Sequence, residues 1–173
     1  MKKYILSLTI IYSLNLSAQQ WITPVIDGYG EIKYSQQVAV QPEADLDYKL
    51  IYKITSSEER NGVIRGLNSI AHSLNMLGAA KVPTTKIQVV SSISGPATSL
   101  ILTDEAYQKK YGKKNPNTAL INLLAENGVK LYVCSQAVAY KKIKASDINP
   151  NITSALSGAS VMANYQLKGY VRM

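Results

Sequence analysis

The chain has 173 residues, of which 46% are hydrophobic and 17% charged, with a formal net charge of +8 and a mean hydropathy near zero. These values fit one globular domain and exclude collagen-like and wholly disordered readings. One Cys and one His cannot build a zinc site from soft ligands or close an intramolecular disulfide, so no metal site is expected and stability must come from a packed core.

The first stretch sets Lys2 and Lys3 before an apolar run from Tyr4 to Leu14 and ends on Leu16-Ser17-Ala18. Basic start, short apolar run and small residues have the layout of a secretory signal peptide over residues 1–18, with cleavage after Ala18. The run is too short for a comfortable membrane span. The mature protein is therefore expected to be exported, periplasmic or secreted, with no stable membrane span. Cleavage takes two charges off the formal +8. The remaining lysines are scattered: Lys109, Lys110, Lys113 and Lys114 follow one predicted helix, and Lys141, Lys142 and Lys144 another. Cations there suit negative helix ends, and without a known module or interleaved exposed aromatics no nucleic-acid partner is expected.

Residues 19–47 show no sustained helical period and carry Pro24, Gly28, Gly30 and Pro42, so they read as an extended arm. Trp21, Ile22, Val25, Ile26, Tyr29 and Ile32 are more apolar surface than a solvated linker needs, so the arm is expected to pack on the domain or a neighbouring subunit. Gly28-Tyr29-Gly30 is followed by Lys33, not Gly, and fails as a dinucleotide loop.

From Tyr48 strands and helices alternate, the pattern of a parallel sheet with helical crossovers. KLIYKITS (49–56) is the first strand. The helix expected over 61–77 places Val63, Leu67, Ile70, Ala71, Leu74 and Leu77 on one face, with Gly78 as its cap and His72 opposite, facing solvent. KIQVVSSIS (86–94) is a second strand stopped by Ser94-Gly95-Pro96. Thr103 caps a helix from Asp104 to Tyr111 that ends at Gly112, and Asn115-Pro116 opens another that Gly128 closes. VKLYVCSQ (129–136) is apolar enough for a central strand. Ile152 to Leu156 is a fourth strand, Ser157-Gly158 a turn, 159–168 a helix and 170–173 a last strand.

Ligands of open parallel sheets bind beyond the carboxyl ends of the strands. That rule brings Ser94-Gly95-Pro96, Cys134-Ser135-Gln136 and Ser157-Gly158 to one edge, a pocket of hydroxyls, backbone amides and one thiol. Cys134 has two readings. A thiol at a helix start has its thiolate favoured by the positive end of the dipole, which makes a reactive cysteine; a free Cys at a strand end is also a common small core residue. The chain has no Walker loop, GxSxG, HExxH or CxxC spacing, and Asp104 and Glu105 suit the helix dipole better than acid-base work.

Pro24 to Gly30, Tyr48-Lys49-Leu50, Ser94-Gly95-Pro96-Ala97, Tyr107 to Tyr111, Asn115-Pro116-Asn117, Gly128 to Cys134, Ser157-Gly158 and Gly169-Tyr170 together resemble the DsrE/DsrF-like sulfur-relay family, in its exported single-domain branch. The resemblance implies an α/β fold: three α/β/α layers around a mainly parallel sheet of about five strands, with the domain at 48–173. It also implies a homo-oligomer, trimer-based. It further implies a persulfide on Cys134, taken from a small sulfur donor and passed to a partner thiol protein, with Ser94, Gly95, Ser135, Gln136, Ser157 and Gly158 shaping the pocket and no cofactor. Relatives commonly have His where this chain has Ser94, and a hydroxyl cannot act as that base. The competing expectation is a noncatalytic oligomeric binding or structural protein with an inert Cys134.

Overall fold

Tyr48–Ile54 (β1) alternates around a buried centre, sending Leu50, Tyr52 and Ile54 into one apolar cluster and Ile51 into another, as a strand covered on both faces must. The structure, a computed structural model, describes residues 20–173; the signal peptide expected at 1–18 lies outside the described residues. After β1, Glu59–Arg60 (β2) and Val63–Ile64 (β3) form a small antiparallel ribbon. Its turn is Asn61-Gly62, with φ of +54° and +78°, the pair of left-handed residues that a tight two-residue hairpin requires. The helix expected from residue 61 therefore begins later, at Arg65–Ala79 (α1).

Gly78 does not cap α1. It lies inside the last turn, where any Cβ would collide with Val25, and Lys81 takes the left-handed conformation after the helix instead. The arm runs along this helix: Ile26 and Ile32 are buried, and a bridge between Ile22 and Ile32 closes the arm on itself. Asn75, fully buried, accepts from the Val25 and Ile26 amides at 2.9 and 2.8 Å and donates to the Tyr29 and Gly30 carbonyls at 2.8 and 3.0 Å. His72 is half-buried under the arm rather than facing solvent, with Nδ1 3.1 Å from the Glu31 carbonyl.

Ile87–Ile93 (β4) leads into a 3-10 turn at Gly95–Ile101, then Asp104–Tyr111 (α2), capped by the Thr103 side chain and ended by left-handed Gly112. Thr118–Glu126 (α3) starts two residues later than Asn115-Pro116 suggests. Asn115 is turned inward: its Nδ2 donates to the Leu100 and Leu102 carbonyls at 2.8 and 2.7 Å, while its Oδ1 accepts from the Asn117 amide at 3.0 Å just ahead of the helix. Lys130–Cys134 (β5), Ser135–Tyr140 (α4), Ile152–Ala155 (β6), Gly158–Leu167 (α5) and Val171–Arg172 (β7) complete the chain.

The sheet is five-stranded in the order β6-β5-β4-β1-β7, and every pairing in it is parallel. Helices α1 and α3 pack their apolar faces on one side. On the other, α5 crosses from edge strand β6 to edge strand β7 and packs Val161 and Met162 on Ile51 and Val90. This is a three-layer α/β/α fold. Among the described residues no helix is long and apolar enough to cross a membrane.

Candidate functional site

Strand β5 ends on Cys134, which lies between β4 and β6 and pairs in register with Ala155. Cys134 is also the residue from which α4 departs, and the neighbouring strand β6 runs through Leu156 into the first turn of α5. Two helix starts thus converge on one sulfur. The thiol is buried, with 9% exposure. Burial alone pushes its pKa up, but the amides of Ala137, Gly158 and Gln136 outweigh burial and hold the thiol below its ordinary value. Amide dipoles directed at sulfur stabilise the anion over the neutral thiol.

The walls are fixed by short bonds. Ser135 Oγ donates to the Leu156 carbonyl at 2.9 Å, and Gln136 Nε2 reaches the same carbonyl at 3.3 Å, tying the start of α4 to the loop before α5. Ser157 and Ser160 form a reciprocal capping box: the Ser160 amide donates to Ser157 Oγ at 3.0 Å and the Ser157 amide to Ser160 Oγ at 3.2 Å. This holds the first turn of α5, and with it the Gly158 amide, in one orientation.

From β4, Ser92 Oγ donates to the Gly158 carbonyl at 3.1 Å. A Cβ built on Gly158 would stand 3.1 Å from Ser92 Oγ and 3.4 Å from Ser94 Oγ, so the two hydroxyls border this glycine. Ser94, Ser135, Gln136, Ser157 and Gly158 therefore surround the ends of β4, β5 and β6. Gly95 follows Ser94 with φ at +60°, and a Cβ built on it would stand 3.3 Å from the Thr55 carbonyl after β1. His72 lies on α1, beside Glu31 of the arm. Two contributors escaped the sequence reading, the Ala137 amide and Ser92. Ser92 had a legible signal, since Ser91-Ser92 interrupts the apolar run between Val89 and Ile93. Among the described residues no group of three or more His, Cys, Asp or Glu side chains could hold a metal ion.

Chemically, the edge offers a nucleophile with a favoured anionic form, backbone donors for negative charge on sulfur, and hydroxyls that donate or accept. Among the described residues the groups that act on the thiol are backbone amides, with no imidazole or carboxylate among them. A model of the DsrE/DsrF-like family matches residues 53–172. Among solved structures, the chain is similar to that of a protein of unknown function, MTH1491, from Methanobacterium thermoautotrophicum, with 15% identity and a TM-score of 0.58 over 73% of this chain and 98% of that one. At that identity the likeness shows the fold alone. No curated protein matches the sequence.

Proposed function

The chain belongs to the DsrE/DsrF-like family, and on that premise we propose that it is an exported protein that binds or relays a small sulfur species as a persulfide on Cys134. The observation that carries the reading is the set of three amides, from Ala137, Gly158 and Gln136, that favours the thiolate against the cost of burial. Export is supported by the leader layout of residues 1–18.

In this scheme the Cys134 thiolate attacks the terminal sulfur of a donor R–S–SH. A new S–S bond forms at Cys134, the donor S–S bond breaks, and R–S⁻ leaves with the electron pair. The outer sulfur departs the same way when an acceptor thiolate attacks it, which returns Cys134 as thiolate. Neither step needs an external oxidant or reductant. Ser94 in place of the family's common His fits this route, because a thiol already favoured as the anion needs no neighbouring base. Ser94 and Ser92, bordering Gly158, would position the loop rather than move a proton.

Intact mass of the reduced protein after exposure to inorganic polysulfide tests the proposal. The parent should gain sulfur in 32 Da steps, one atom being about 32 Da, reversed by dithiothreitol, and Cys134→Ser should gain none. Equal uptake by both, or none by the parent, would remove the sulfur reading and leave a binding or structural protein with an inert Cys134.

A further inference from the structure

The two lysine runs that the sequence places behind separate helices meet in space. Lys109 and Lys110 occupy the last turn of α2; Lys141, Lys142 and Lys144 follow α4. All five line one depression of about 300 Å³. The fold clamps the two segments together. Leu102 and Ile148 form an isolated antiparallel bridge, the Thr103 amide donates to the Asp147 carbonyl at 2.9 Å, and the Asn149 amide donates to the Ile101 carbonyl at 2.7 Å.

Either run alone is explained by cations at a negative helix end. Their convergence is not. Like charges around one concavity repel, and the one ion pair among the described residues is Arg65 with Glu58, so none of the five lysines is neutralised by a carboxylate at salt-bridge distance. Asp147, the single acid in the lining, takes a hydrogen bond from Ser146 Oγ. Lys142 stands at φ +54°, a left-handed conformation in which glycine or asparagine is less strained. The lining is also apolar in part, through Leu102, Ala106 and Ile143.

We propose that this depression is a docking site for an acidic segment of a partner protein that carries an apolar side chain among its carboxylates. Five clustered cations, none of them in an ion pair with a carboxylate and Lys110 resting over the Tyr111 ring at 5.4 Å, select an anion by charge complementarity. The apolar lining gives a side chain something to bury, which a bare oxyanion lacks, and the concave shape receives a protruding segment rather than a flat lipid surface. The site lies at the far end of α4 from Cys134 and does not rest on the sulfur reading.

The test is titration of the purified protein into a fluorescein-labelled peptide of the pattern Glu-Glu-Leu-Glu-Glu, read by anisotropy. Lys109→Gln/Lys141→Gln/Lys142→Gln should weaken binding at least about tenfold. Lys53→Gln/Lys81→Gln/Lys130→Gln, which removes the same charge elsewhere on the surface, should leave it within about twofold, and Cys134→Ser should not change it. Equal weakening by both triple variants would reduce the effect to net charge and overturn the site. So would no binding by the parent, displacement of the peptide by equimolar inorganic phosphate, or preferential capture by phosphatidylglycerol vesicles.

Discussion

The Ser92 hydroxyl donates to the Gly158 carbonyl at 3.1 Å, across 66 positions of sequence. The bond fastens strand β4 to the first turn of α5. The amide of the same glycine is one of those that hold the Cys134 thiol low. A contact on the sheet face is thereby linked to the ionisation of a sulfur one strand away.

Gly158→Ala tests that link. The added Cβ would stand 3.1 Å from Ser92 Oγ and 3.4 Å from Ser94 Oγ, tight enough that the Ser92 hydroxyl, and the turn of α5 bonded to it, must give by a few tenths of an ångström. Stability should fall by about 1–2 kcal/mol in urea unfolding. The thiol pKa, followed by thiolate absorbance at 240 nm, should rise as the amide moves off the sulfur. Adding Ser92→Ala makes room for the methyl and should bring the pKa part of the way back. An unchanged pKa in Gly158→Ala would mean that the Gly158 amide is not what holds the thiolate.

The pH dependence of stability has a definite sign at Cys134. The thiol is an acid whose folded pKa lies below its ordinary value, because the amides outweigh burial. Its ionisation therefore contributes stability that is fully present above the unfolded thiol pKa and is lost as pH falls through the folded one. Urea midpoints measured from pH 6 to pH 10 should show the parent gaining on Cys134→Ser as pH rises through that window. Parallel curves would show that the thiol titrates alike in both states.

Much of the site edge was legible because the rule that places it depends only on strand direction. Alternating strands and helices imply a parallel sheet, and a parallel sheet gathers the turns at 94–96, 134–136 and 157–158 at one end. What escaped was local. Val63 fits the helical period of Leu67 and Ile70, and that fit masked Asn61-Gly62, whose left-handed pair makes a hairpin turn there. Asn115 looked like a cap because of Pro116, yet its side chain holds two carbonyls that follow β4. Glycine was read as a helix stop at 78, where the space taken by Val25 is the real constraint. At Asn115 and Gly78 a tertiary neighbour, invisible to periodicity, decided the residue's role; at Asn61-Gly62 the deciding signal was local and the helical period covered it.

Asn75 should carry the arm. Its side chain makes four bonds to arm backbone groups and is fully buried. Asn75→Ala strands those groups and opens a small void, and should cost about 2–4 kcal/mol. Asn75→Asp keeps the acceptor for the Val25 and Ile26 amides but sets a carboxylate against the Tyr29 and Gly30 carbonyls, so it should be no better. Trypsin should then cut at Lys33 in both variants under conditions that leave the parent intact. Resistance equal to the parent would mean that Ile26 and Ile32 in the core, with the Gly30 amide on Asn68 Oδ1, hold the arm without Asn75.

Tyr132, Tyr165 and Tyr170 cluster on the face that α5 covers. Tyr132 and Tyr165 hydroxyls meet at 3.1 Å, and the Tyr165 and Tyr170 rings pack edge to face at 4.9 Å. Burial first, then the bond to Tyr132 and the charges of the neighbouring phenols, push Tyr165 up to about 12 from an ordinary 10.0. A raised acid pKa favours the neutral form in the fold, so its contribution to stability is complete below pH 10.0 and is lost as pH rises through about 12. Tyr132→Phe removes the hydrogen bond and one charge but leaves the burial. The Tyr165 midpoint, read from the 13Cζ shift of labelled tyrosine, should therefore fall toward its ordinary value without reaching it. The same variant removes a side-chain bond between β5 and α5, so the Cys134 midpoint is the control. If α5 keeps its seat through Val161 and Met162 on Ile51 and Val90, the thiol pKa should not move while the Tyr165 value does. A Tyr165 midpoint that stayed near 12 would assign the shift to burial and Tyr170 and leave Tyr132 no part in it.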